Sequence, residues 1–208
     1  MVEKETDRSQ IKLEQILTAA QKRFGHYGLS KTAMNDIAND IGMSKASLYY
    51  YFKDKESIFI AVLEKEHIHF IEAMHKMIKT SVKAETMLIE YVSMRTAVLE
   101  KMMALGKFSY DGLLAFKPQI SSLLQQFKKE ETSLIYNILE FGVRNKEFSM
   151  DSIQEHATFF IDTLLSIRKA VIAEHAEGDT IEFSPRKYQK LKDQSNMFAS
   201  IFIKGISA

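Results

Sequence analysis

The residues with the most to offer chemically stand in one run, Ser44-Lys45-Ala46-Ser47-Leu48-Tyr49-Tyr50-Tyr51-Phe52. Hydroxyls, phenols, an ammonium group and one bare methyl side chain suit contacts to base edges and phosphates in a nucleic-acid groove. Ser44 is placed to cap a helix that begins at Lys45. Leu48 and Phe52, four residues apart, then point inward, leaving Lys45, Ala46, Ser47, Tyr49 and Tyr50 outward. Just upstream, Met34, Ile37, Ala38 and Ile41 recur at helical spacing. Gly42 supplies the left-handed stop. Two short helices around so tight a glycine turn cross steeply, as in a helix-turn-helix.

Elsewhere the reactive side chains are scattered. His67, His69, Glu72 and His75 crowd one predicted helix, but His69, Glu72 and His75 are spaced three and three, so they drift around it. A metal would want its ligands on a common face, so a solvated polar face is the expected reading, with no metal and no cofactor. Gly-rich phosphate loops and Gly-x-Ser-x-Gly are missing. The chain has no cysteine, which excludes disulfides and thiolate sites. His26, His156 and His175 show no spacing that points to a triad. No enzyme is expected.

Further elements must hold the Ser44–Phe52 run in place. Leu13, Ile16, Leu17, Ala20 and Phe24 form an apolar stripe that ends around Gly25 and Gly28. Thr32 stands where the next helix needs an N-cap, with Asp36 in its first turns. Asp54 caps a helix opening with Lys55-Glu56. Charge adds little, because residues 1–57 hold nine Lys or Arg against eight Asp or Glu. The basic footprint usual for a nucleic-acid binder is therefore replaced by placement, with Lys31, Lys45, Lys53 and Lys55 grouped near the expected reading helix.

The full string resembles the DNA-binding domain of the TetR/AcrR family of transcriptional repressors. It is carried by Ile16-Leu17, Ala19-Ala20, Phe24, Gly28, Thr32, Asp36-Ile37-Ala38, Gly42-Met43-Ser44, Leu48-Tyr49-Tyr50-Tyr51-Phe52 and Lys55-Glu56, without a gap over about fifty residues. The resemblance implies a three-helix DNA-binding domain over residues 9–57 and a helical effector-binding and dimerisation domain over 58–208. It also implies a homodimer on a near-palindromic operator. On the same footing, Lys45, Ala46 and Ser47 approach base edges and Tyr49, Tyr50, Tyr51 and Lys55 meet phosphates, with Ser44 and Thr32 in the same surface.

Composition agrees with an all-α chain. Hydrophobic residues make up 46% and charged residues 26%, enough apolar side chains for a core. Two prolines and long stretches of 3.6-residue periodicity leave little room for a sheet. No eighteen-residue apolar run exists and the N-terminus is polar, so no membrane span or signal peptide is expected, and the cytoplasm is the natural compartment. Helices are predicted from Lys55 towards Met77, over 85–105, from Pro118 to Gly142, over 152–176 and from Arg186 to Ile203, with breaks at Gly106, Ser109, Asp111-Gly112, Glu177-Gly178-Asp179 and Ser184-Pro185.

The segment Ile153–Ala176 is too apolar on too many sides for one contact face, the final helix shows Leu191, Met197, Phe198, Ile201 and Phe202, and the resemblance places a dimer interface at these two helices. Eleven methionines and fourteen phenylalanines concentrate after residue 58. Met94, Met102, Phe108, Phe116, Phe127, Tyr136 and Phe159 are the candidates to line an effector cavity. No cluster of Lys or Arg stands among them, so a small apolar or aromatic effector is expected. The function this implies is a ligand-responsive DNA-binding regulator, a repressor released from its operator. The alternatives are a helical protein of the same fold with another partner and, more distantly, a helical enzyme.

Overall fold

The structure, a computed structural model, describes residues 2–106, 117–173 and 184–208. These form helices α1 (Val2–Lys31), α2 (Met34–Asp40), α3 (Lys45–Tyr51), α4 (Lys55–Thr80), α5 (Ala84–Gly106), α6 (Lys117–Arg144), α7 (Ile153–Ala173) and α8 (Pro185–Ile206). Among the described residues, extended pairing is limited to one isolated bridge, Phe148 with Ser207. The chain is therefore all-α, and no described helix is long and apolar enough to cross a membrane.

The fold divides into two units. One holds the residues through Glu66 with the end of α5 from Lys101; the other holds His67–Glu100 and nearly all of α6, α7 and α8. The first unit has its own core of Ile16, Leu17, Ala20, Phe24, Ile37, Ala38, Leu48, Ile58, Phe59 and Val62, all buried. Phe24 and Phe59 meet edge to face at 5.6 Å. Leu13, expected on the same stripe, is 38% exposed and lies off it. Helix α1 breaks at Gly28, whose φ of 78° and ψ of 163° only glycine adopts readily.

The start of α2 corrects one expectation. Its N-cap is Ala33, and the Asp36 carboxylate accepts the Ala33 N–H at 3.1 Å. Thr32 is buried and its hydroxyl donates instead to the Gly28 carbonyl at 2.8 Å, closing the kink behind it. Asp54 does cap α4, accepting the Ser57 N–H at 2.7 Å. Ser184-Pro185, expected as loop, opens α8: Ser184 accepts the Lys187 N–H and Pro185 takes the first helical position, where its missing N–H is harmless. The other predicted breaks, Ser109, Asp111-Gly112 and Glu177-Gly178-Asp179, lie outside the described residues.

In the second unit Phe70 and Met74 of α4, Met87, Leu88 and Tyr91 of α5, Ile135, Ile138 and Leu139 of α6, Phe160 of α7 and Phe202 of α8 share one core. Its end is tied by backbone bonds from Ser149 N–H to the Ile206 carbonyl at 2.7 Å and from Ala208 N–H to the Glu147 carbonyl at 3.1 Å. The Glu147 carboxylate accepts the Ala84 N–H at 2.9 Å and so caps α5. This junction closes around Gly142, where a Cβ would stand 2.3 Å from Phe148 Cδ2 and 2.8 Å from Ala84 Cβ. Overpacking of this kind costs about 1–3 kcal/mol, so Gly142→Ala should lower the urea midpoint accordingly. An unchanged midpoint would show that Phe148 repacks freely.

Candidate DNA-reading surface and ligand cavity

Helix α3 is anchored by one side and open on the other. Leu48 is fully buried, whereas Lys45, Ala46 and Ser47 are exposed and Tyr49 and Tyr50 are 45% and 85% exposed. Ser44 accepts the Ser47 N–H at 3.1 Å, and the two hydroxyls stand 2.8 Å apart. The Lys45 ammonium lies 5.8 Å from the Tyr49 ring centre, and Tyr50 meets the half-buried Tyr51 edge to face at 5.4 Å. Thr32 belongs elsewhere. At 2% exposure its side chain is an internal brace and not part of this surface.

Two interactions not foreseen from the sequence orient the unit. Arg23 grips Asp40 with two hydrogen bonds, Nε to Oδ2 at 2.5 Å and Nη2 to Oδ1 at 2.8 Å, and lies 3.7 Å from Asp36. This bidentate pair fastens α1 to the end of α2, and the guanidinium holds the Asp40 carboxyl below its ordinary pKa. Lys55 donates to the carbonyls of Ser30 and Thr32, both at 3.0 Å, securing the end of α1 and the residue after it. An ammonium has three donors, so one N–H of Lys55 is left for an outside acceptor.

The second unit contains a cavity between α5, α6, α7 and α8. Its walls include Val92, Leu99, Ile161, Leu164, Leu165 and Leu191, and its polar groups are Tyr91, Arg95, Thr96, Glu131, Arg168 and Ser195. Arg95 Nε lies 3.0 Å from Glu131 Oε2, and the Tyr91 hydroxyl donates to the same oxygen. The Arg95 guanidinium also sits over the Phe70 ring at 5.5 Å. The free volume is about 40 Å³, room for small molecules the size of water but well short of a drug-sized ligand.

Comparison with known proteins accords with this arrangement. The pattern of bacterial regulatory proteins of the tetR family is matched over residues 16–62, the span of the Leu48-anchored head. A transcriptional regulator from Cytophaga hutchinsonii ATCC 33406 is similar over the whole fold, with a TM-score of 0.86 and 37% identity across 95% of this chain and 99% of its own. The chain belongs to the TetR family. Its other relatives include the fatty acid metabolism regulator protein of Bacillus subtilis (strain 168), 25% identical over 65% of this chain and 70% of that protein. The regulator RutR of Escherichia coli (strain K12) is 43% identical over 54 residues, 26% of each chain. These relatives are transcription regulators and not enzymes.

The cavity of this TetR-family chain is lined by other residues than those expected. Phe127 is buried and stacks on His67 at 3.7 Å; Met94 and Tyr136 pack against the core. Met102 is buried in the other unit, and Phe159 is 59% exposed. Phe108 and Phe116 lie outside the described residues. Nor are the walls free of cations, because Arg95 and Arg168 both reach them. The two arginines stand on helices far apart in sequence, and only packing brings them together.

His67, expected on a solvated face, is instead buried. Its Nε2 lies 2.9 Å from Glu130 Oε2 and its Nδ1 3.7 Å from Glu131 Oε1, while Nδ1 has no hydrogen-bond partner. Among the described residues no group of acidic or histidine side chains is arranged to hold a metal. Burial pushes the His67 pKa below its ordinary 6.5; Glu131 and Glu130 oppose this and Arg95 adds to it. A neutral histidine is therefore favoured by folding. Its contribution is complete above the unfolded value and is lost as pH falls from about 6.5 towards the lower folded value. Urea midpoints measured from pH 7.5 to 5.5 should fall less steeply for His67→Gln than for the wild type. Parallel profiles would remove His67 from the account.

Proposed function

We propose that this protein is a ligand-responsive repressor that binds a palindromic operator as a homodimer in the cytoplasm, with residues 9–57 as the DNA-binding domain and 58–208 as the effector-binding and dimerisation domain. The observation that carries it is the capped α3 presenting Lys45, Ala46, Ser47, Tyr49 and Tyr50 outward from a buried Leu48. Lys45 to Ser47 are assigned to base edges; Tyr49, Tyr50, Tyr51 and the third donor of Lys55 are assigned to phosphates. Two such heads on a two-fold dimer meet successive major grooves when their reading helices are roughly 34–36 Å apart.

Titration of the DNA flanking the encoding gene, at several salt concentrations, tests the reading. Specific retardation is expected. Lys55→Met should lower the salt slope by about one unit, because one phosphate contact and its released counterion are lost. It should also reduce stability, since the Ser30 and Thr32 carbonyls lose their donor. A stability loss with an unchanged slope would leave Lys55 a purely structural residue, and no specific shift with any flanking DNA would sink the repressor reading.

Dimerisation is assigned to the outer faces of α7 and α8. Phe159, Met197 and Ile201 are 59%, 61% and 64% exposed, and Phe159 lies within 6.2 Å of the Phe198 ring. Exposed apolar groups of this size favour burial against a second copy. Ile201→Glu touches only the outer face and should convert dimers to folded monomers in sedimentation at micromolar concentration; a wild-type chain already monomeric there would refute the assignment.

Effector response follows from the small cavity and from α4, which starts at Lys55 of the reading head and supplies Phe70 and Met74 to the second core. A ligand with an apolar body, filling ~300 Å³ or more, has to part the helices that line the cavity. Such a ligand releases DNA only by binding the displaced arrangement better.

A further inference from the structure

Resting on the proposed effector reading of the cavity, we infer that the effector carries a carboxylate, and that Arg168 together with Arg95 is the seat for it. The lining contains two guanidinium groups and one carboxylate. Glu131 is already engaged by Arg95 Nε at 3.0 Å and by the Tyr91 hydroxyl. One positive charge in the lining is thus left over.

Two further observations point the same way. Arg95 Nη1 is buried and has no hydrogen-bond partner, a donor that costs free energy until an acceptor arrives. Arg168 has its pKa pushed down to about 10, by burial first and by the charge of Arg95 second, so it remains a cation at neutral pH in a setting that disfavours it. Such an environment is relieved by an anion. Neutral apolar ligands leave both groups as they are, and ammonium ligands add a third positive charge.

Among anions the chemistry selects a monoanionic, planar head. Guanidinium forks match a carboxylate with two parallel hydrogen bonds. A phosphate dianion exceeds the single surplus charge and sits beside Glu131. The remaining walls, Leu99, Ile161, Leu164, Leu165 and Leu191, suit an aliphatic or ring-bearing body. The ligand class is therefore an amphipathic organic acid.

Calorimetry on the full-length protein with three probes of one chain length tests this: octanoate, 1-octanol and octylamine. Octanoate should bind roughly tenfold or more tightly than octanol, as expected for one charge-assisted hydrogen bond in a buried site, and octylamine should bind weakest. Arg168→Gln should erase the preference for octanoate while keeping octanol affinity; Arg168→Lys should retain part of it. Circular dichroism checks that both variants are folded, and the wild-type head-group comparison stands without either. Equal affinity for octanoate and octanol would overturn the carboxylate inference and leave the cavity reading intact. A preference that survives in Arg168→Gln would overturn the seat. No binding of any probe at millimolar concentration would overturn the inference and the cavity reading together.

Discussion

Helices α2 and α3 have seven residues each, and everything the reading surface presents depends on that shortness. Helices of two turns are unstable alone in water, because the cost of nucleation is spread over too few hydrogen bonds. Their geometry must come from outside. For α3 it comes from the burial of Leu48 and the Ser44 cap; for α2 it comes from Met34, Ile37 and Ala38 beneath and from Arg23 holding Asp40. The exposed Arg23 pair contributes modestly to stability, as surface ion pairs do. Its two-pronged geometry matters more, since it fixes where the turn at Gly42 begins.

This dependence explains what the sequence could and could not disclose. Periodicity located Met34, Ile37, Ala38 and Leu48 because burial on one helical face leaves a linear trace. Gly42, with φ of 60°, stands where the stop was expected. Thr32 misled because a threonine before a helix has two uses: its hydroxyl can cap forward, or donate backward to the i−4 carbonyl. Kinking at Gly28 presents that carbonyl at 2.8 Å, and the backward bond forms. The choice was set by the backbone of a preceding residue, which no spacing rule encodes.

The second unit was legible as helices and illegible as a site. Aromatic and methionine side chains were expected to mark the cavity because they are large and adaptable, yet the same properties make them core residues. Phe127 became a stacking partner for His67, and Phe159 turned outward. The cavity formed instead where Leu, Ile and Val faces meet around Arg95, Glu131 and Arg168. Buried charges need partners supplied by tertiary contact, so their meaning emerges only after the helices are assembled.

The same buried charges bear on how the proposed effector response could reach α4. Glu131 of α6 is held through Oε2 by Arg95 and Tyr91 of α5, and its Oε1 lies 3.7 Å from Nδ1 of His67, the first α4 residue of the second unit. Any group that competes for Arg95 or Arg168 also alters what holds Glu131, and with it the packing around His67. The coupling required is small: a tenfold change in operator affinity corresponds to about 1.4 kcal/mol. A single charge-assisted hydrogen bond is worth about that much. Rearranging one buried carboxylate as the helices part is therefore sufficient in magnitude to bias α4.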